Sequence, residues 1–152
     1  MIGEDIINNN ENNKPKAEYR ILMIILTILT LGLSIYGKIY TIGLITIALF
    51  IMLIIPIHFV LFTISGILLA NIKNKTKIDY ICFFALCSTI LLYAYTFVDG
   101  SPTGTKYNIF FPSVDENILS NISFTSFIVN IVLSIVSIVR FVKKLKKNKN
   151  NI

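Results

Sequence analysis

The chain has 152 residues, 55% of them hydrophobic and only 14% charged, whereas a soluble domain carries about 25% charge. That deficit, gathered into long apolar runs at 21–36, 41–70, 80–98 and 118–142, argues against a water-soluble globule and for a bilayer as the solvent of these segments. The net charge of +6 flanks the apolar runs, which points to lipid headgroups and membrane orientation and away from nucleic acid.

In chain order, residues 1–18 are polar and asparagine-rich, too poor in apolar side chains to fold alone, with at most a short amphipathic turn at Ile6 and Ile7. A first helix is expected over 19–37. Ser34 to Lys38 offers no small-x-small cleavage site, so this is an uncleaved span and not a signal peptide. Gly37 and Lys38 then form the turn into a second helix over 41–70. At ~1.5 Å per residue that helix reaches ~45 Å, well beyond a hydrocarbon core of ~30 Å. It must tilt or kink, and Pro56 is the expected kink because it lacks an N–H. A re-entrant segment is the alternative, leaving three spans and opposite sides for the termini.

A basic connector follows, and a third helix is expected over 78–98, ended by the turn formers Asp99, Gly100, Ser101, Pro102 and Gly104. The loop residues Tyr107, Phe110 and Phe111 suit an interfacial aromatic belt, or contact with an external partner. Ser113 followed by Glu116 reads as a capping box opening a fourth helix over 114–144, with a basic tail at 145–152. The fold class is thus an all-α, multi-pass transmembrane helical bundle of about four spans: a polar segment at 1–18 and a membrane domain at 19–144.

Charge sets the expected orientation. Basic residues concentrate in the N-terminal flank (Lys14, Lys16, Arg20), the middle connector (Lys73, Lys75, Lys77) and the C-terminal end (Arg140, Lys143, Lys144 and the lysines after them). The intervening segments carry Lys38 alone, then Lys106 against Asp99, Asp115 and Glu116. This alternation places both termini and the middle connector in the cytoplasm. Lys73, Lys75, Lys77, Arg140, Lys143 and Lys144 are accordingly read as topology and lipid-headgroup residues.

Polar residues inside the spans are the candidate functional groups. Ser123, Ser126, Asn130, Ser134 and Ser137 recur at intervals of three and four, which puts them on one helical face. That face is either a packing seam or oligomer interface, where small residues let backbones approach, or the wall of a polar pathway. Packing is the preferred reading. Weaker stripes occur in the first helix (Thr27, Thr30, Ser34, Gly37) and the third (Cys82, Ala85, Thr89, Tyr93, Thr96). His58, the single histidine, is an intramembrane ionisable group and so a functional candidate, but no acid or base accompanies it inside a span, and a neutral, hydrogen-bonded role is preferred over a proton relay. Cys82 and Cys87 diverge on one helix and suit neither a disulfide nor zinc.

No phosphate-binding glycine loop, metal set or nucleophile–base pair is recognisable. The expectation is a non-enzymatic multi-pass protein of the cell membrane without cofactor or metal, acting as an accessory, modulator or immunity-type protein through helix–helix or loop contacts. Its partners are the lipid bilayer and a membrane protein or further copies of itself, with no nucleic acid. The alternative is a small oligomeric transporter or channel with a polar pathway lined by the fourth helix.

Overall fold

A computed structural model describes residues 14–41, 43–73, 75–100, 106–108 and 110–149. It contains helices α1 (Lys14–Tyr40), α2 (Leu44–Ile51), α3 (Ile54–Ala70), α4 (Lys77–Thr96) and α5 (Glu116–Lys149), with a two-residue antiparallel ladder, β1 (Asp99–Gly100) on β2 (Lys106–Tyr107), in the loop before α5. Residues 1–13 of the expected polar segment, with the Ile6–Ile7 turn, lie outside the described residues; its remainder, 14–18, is helical and opens α1. The tail expected from 145 is helical through Lys149.

Helix is what these sequences must form in hydrocarbon, because each backbone N–H and C=O has to find its partner within the segment. α1, α4 and α5 are long and apolar enough to cross a membrane, and α2 with α3 adds a fourth candidate if the bent pair is one span. α1 and α5 lie on opposite sides of the bundle, and each packs on both α3 and α4. The apolar core includes Ile55, Phe62, Leu69, Phe83, Leu86 and Ile90, all fully buried. The outward faces are as apolar as the core: Ile28, Ile57, Ile81, Phe124 and Val132 are all exposed. One close approach is built on glycine. A Cβ on Gly66 of α3 would stand 2.7 Å from Thr27 Cγ2 of α1, so only glycine lets these helices come so near.

Three local expectations are corrected. The turn at Gly37 and Lys38 does not form there. α1 runs on to Tyr40, Thr41 bonds back to the Gly37 carbonyl (N···O 3.2 Å), and the chain turns just beyond. Gly37 serves packing instead, since a Cβ there would meet the Tyr95 ring at 3.2 Å. Nor does the second helix kink at Pro56. It breaks at Met52 and Leu53, with α2 and α3 inclined by 70°. Leu53 adopts the left-handed conformation (φ 59°), which is costly for a side chain with a Cβ.

The break keeps its backbone satisfied: Met52 N–H donates to Ala48 O (2.9 Å), Leu53 N–H to Phe50 O (3.0 Å) and Ile57 N–H to Leu53 O (3.0 Å). Pro56 falls in the first turn of α3, where N–H groups have no intrahelical acceptor. There its missing donor removes an unsatisfied group instead of a hydrogen bond. Finally, the fourth span is not opened by a Ser113–Glu116 box. Asp115 Oδ1 accepts the N–H groups of Asn117 (2.8 Å) and Ile118 (3.3 Å), and the helix begins at Glu116. A carboxylate two residues on outcompetes the serine as cap, because an anion there also meets the helix dipole.

The path of the broken helix follows from its ends. Asp99, just past the C-terminus of α4, bonds the first turn of α2. The last residue of α3, Ala70, accepts a bond from Lys75 Nζ (2.9 Å), just before the N-terminus of α4. The α2–α3 pair therefore starts at one end of α4 and finishes at the other.

Candidate functional site

The polar stripe of α5 faces inward. Ser123, Ser126, Asn130, Ser134 and Ser137 are all buried, and Ser123 and Asn130 bond across to α3 and α4. At mid-bundle Asn130 joins three helices. Its Nδ2 donates to Leu86 O (2.8 Å) and Thr89 Oγ1 (2.8 Å) on α4, and its Oδ1 stands 2.9 Å from His58 Nε2 on α3. Because the Leu86 carbonyl can only accept, the amide orientation is fixed and Oδ1 must receive a proton. That assigns the imidazole N–H to Nε2.

The His58 ring sits edge-on against Tyr93 (centroids 5.1 Å apart) and Phe127 (4.7 Å). Its Nδ1 meets no hydrogen-bond partner among the described residues, and neither does Ser134 Oγ. Elsewhere along the stripe, Ser123 Oγ donates to Tyr93 O (3.2 Å), Ser137 Oγ to Leu133 O (2.7 Å), and Ser65 Oγ of α3 to Ser134 O (3.2 Å). Buried amides and hydroxyls cost several kcal/mol in hydrocarbon unless bonded.

Of the α4 stripe, Tyr93 and Thr96 are buried and Cys82, Ala85 and Thr89 are half-buried. Asp79, Phe83, Leu86 and Ile90 are buried beside them. Cys82 and Cys87 are free thiols.

At the end of the bundle where α4 begins, Asp79 is fully buried and ties α5 to the start of α4. Arg140 of α5 donates to its Oδ1 through Nε (3.0 Å) and a terminal nitrogen (2.8 Å), Lys144 Nζ donates to Oδ2, and the Thr76 N–H (2.7 Å) and hydroxyl (2.8 Å) donate to Oδ2 as well. Lys75 turns back to cap α3, donating to Ala70 O (2.9 Å) and Ile72 O (3.0 Å). Partial burial, and then the neighbouring Arg20 charge, hold its ammonium below the usual lysine range. Lys73, Lys77 and Lys143 are exposed. Of the six basic residues singled out from the sequence, Arg140, Lys144 and Lys75 thus make internal contacts and the other three face outward.

The opposite end holds groups the sequence reading did not single out. Lys38 is 1% exposed, with Nζ 3.3 Å from the Phe97 ring centroid and 3.9 Å from that of Tyr93. Nζ meets no hydrogen-bond partner among the described residues. Nearby, the Asp99 carboxylate accepts the N–H groups of Gly43 (2.9 Å), Ile45 (3.0 Å) and Thr46 (2.8 Å), an anion seated on the N-terminus of α2. Asn108 pins the loop before α5, donating to Tyr95 O (2.9 Å) and Phe97 O (3.0 Å) and accepting from the N–H groups of Phe110 and Phe111. Phe110 in turn packs on Tyr95 at 4.7 Å. Spacing offered one usable signal here, Thr76 three residues before Asp79. Lys38 and Asp99 gave none, because their partners are remote in sequence.

The chain matches no protein-family model, no curated protein and no solved structure.

Proposed function

We propose that this is a four-span protein of the cell membrane, with both termini and the connector before α4 in the cytoplasm. In this reading it works as an accessory, modulator or immunity-type protein, by helix and loop contacts and not by catalysis. One observation carries the proposal: Asn130 and Asp79 join α5 to α4, with His58 of α3 on the same amide, while the outward faces are apolar. Such a bundle presents surfaces suited to lipid and to other helices. The crossing of α2–α3 from one end of α4 to the other supports four spans over three. The basic alternation supports the orientation.

Two measurements test this. On a background lacking Cys82 and Cys87, Val114→Cys should label with an impermeant thiol reagent from outside the cell and Lys73→Cys should not. The reverse pattern overturns the orientation, and labelling at both sites overturns the four-span path. Affinity purification from the native membrane should recover a stoichiometric membrane partner, while the purified protein in liposomes should carry no selective flux. A selective flux lost on Asn130→Leu, with folding retained, would overturn the modulator reading in favour of a pathway along α5.

A further inference from the structure

The 70° break between α2 and α3 has a consequence on the side of the bundle. It swings α2 away from the first turns of α5 and leaves a half-open apolar groove of about 280 Å³, lined by Leu49, Ile54, Phe97, Val98 and Phe124, with Tyr93 and Phe127 at the back. From the geometry we infer that this groove is a lateral binding site for an acyl chain of a bilayer lipid. The inference rests on the membrane reading above and adds a ligand to it.

Four observations carry it. The wall is mostly hydrocarbon, and of the three hydroxyl-bearing residues that line it, Tyr93, Ser120 and Ser123, Ser123 already donates to Tyr93 O. A wall of this kind excludes water and offers a polar ligand little to hold. The rim is continuous with apolar residues that face outward: Phe124 is 68% exposed, and Ile51, Met52 and Leu53 at the break are 77%, 69% and 58% exposed. The medium at the mouth is therefore hydrocarbon. The size fits, since a cavity of about 150 Å³ takes one benzene and this groove takes roughly twice that, about a dozen carbons of chain. Last, the rings at its back have other duties. Tyr93 and Phe127 are the two rings edge-on to His58, and Tyr93 and Phe97 are the two that cage Lys38. A chain seated here bears on the walls of both polar sites.

The chain contains no tryptophan, so single-tryptophan reporters read it cleanly. Full-length Phe127→Trp and Val98→Trp, both half-buried sites, are reconstituted in phosphatidylcholine brominated along one acyl chain, with Ile135→Trp, on the exposed face of α5, as the lipid-facing control. The expected result is quenching of both groove reporters to at least half the extent of the control. Adding Ser120→Phe at the rim should cut quenching at Phe127→Trp at least threefold and leave Ile135→Trp unchanged. Groove reporters that stay bright beside a quenched control overturn the site, and so does quenching that Ser120→Phe does not change. Quenching that appears only on dilution into excess lipid assigns the groove to a second copy of the chain, and also overturns it. A control that itself stays bright would reject the membrane placement of α5, a different failure from that of the groove.

Discussion

His58 and Asn130 lie 72 residues apart in sequence and meet at 2.9 Å in the middle of the bundle. The bond is one arm of a junction, because the same amide also bonds the Leu86 carbonyl and the Thr89 hydroxyl. Thr89 Oγ1 passes its own proton to Ala85 O (2.8 Å). The amide thereby ties α5 to both central helices at one depth.

Removing that amide should be felt on three helices. Asn130→Leu is expected to cost about 1–3 kcal/mol, since it strands the His58 N–H in a dry interior. His58→Phe on top of Asn130→Leu should recover part of the loss, because replacing both partners removes the stranded donor. Denaturant titration of the purified protein in mixed micelles, run as a double-mutant cycle, checks this. Additive losses would mean that the two side chains do not interact.

The Asp79 cluster should break asymmetrically. Arg140→Ala leaves the carboxylate with Lys144 and Thr76, so about 1 kcal/mol is expected. Asp79→Ala leaves two cations facing each other across a buried gap and should cost more, about 2–4 kcal/mol. The same titration gives the order, and equal losses would show that Arg140 is the sole effective partner.

Gly66→Ala adds a methyl 2.7 Å from Thr27 Cγ2. Overpacking of this kind costs about 1–3 kcal/mol. Thr27→Ala removes both atoms at 2.7 Å and should rescue Gly66→Ala to within about 1 kcal/mol of the parent. Thermal unfolding of the single and double variants reads the difference directly. A neutral Gly66→Ala would mean that α1 and α3 are farther apart than described here.

Lys38 should resist modification. With 1% of its surface exposed, it should stay unmodified by an amine-reactive ester in detergent while Lys73 and Lys147, both exposed, react. Phe97→Ala, which opens one wall of the cage, should raise Lys38 labelling severalfold. Mass-spectrometric mapping of the modified lysines checks both statements. Labelling of Lys38 at the rate of Lys73 would contradict its burial.

The sequence alone determined the solvent and the polar face. Runs of about 20 apolar residues have few alternatives to helices in a bilayer, and intervals of three and four place Ser123 through Ser137 on one side of α5 whatever surrounds it. These are local consequences of backbone geometry and need no knowledge of neighbours. Only the tertiary structure decided what those faces meet, because in hydrocarbon an apolar side chain gains little by choosing protein over lipid and so carries no signal of its neighbour. Pro56 suggested a kink, yet the bend fell at Leu53, where the backbone could close its own hydrogen bonds. Asp99 read as a turn former until the fold set it on the N-terminus of α2, and only the fold set Asp79 under Arg140 and Lys144. Lys38 looked like a turn residue because nothing in its surroundings reveals Tyr93 and Phe97, which only the packing of α1 on α4 brings over its ammonium.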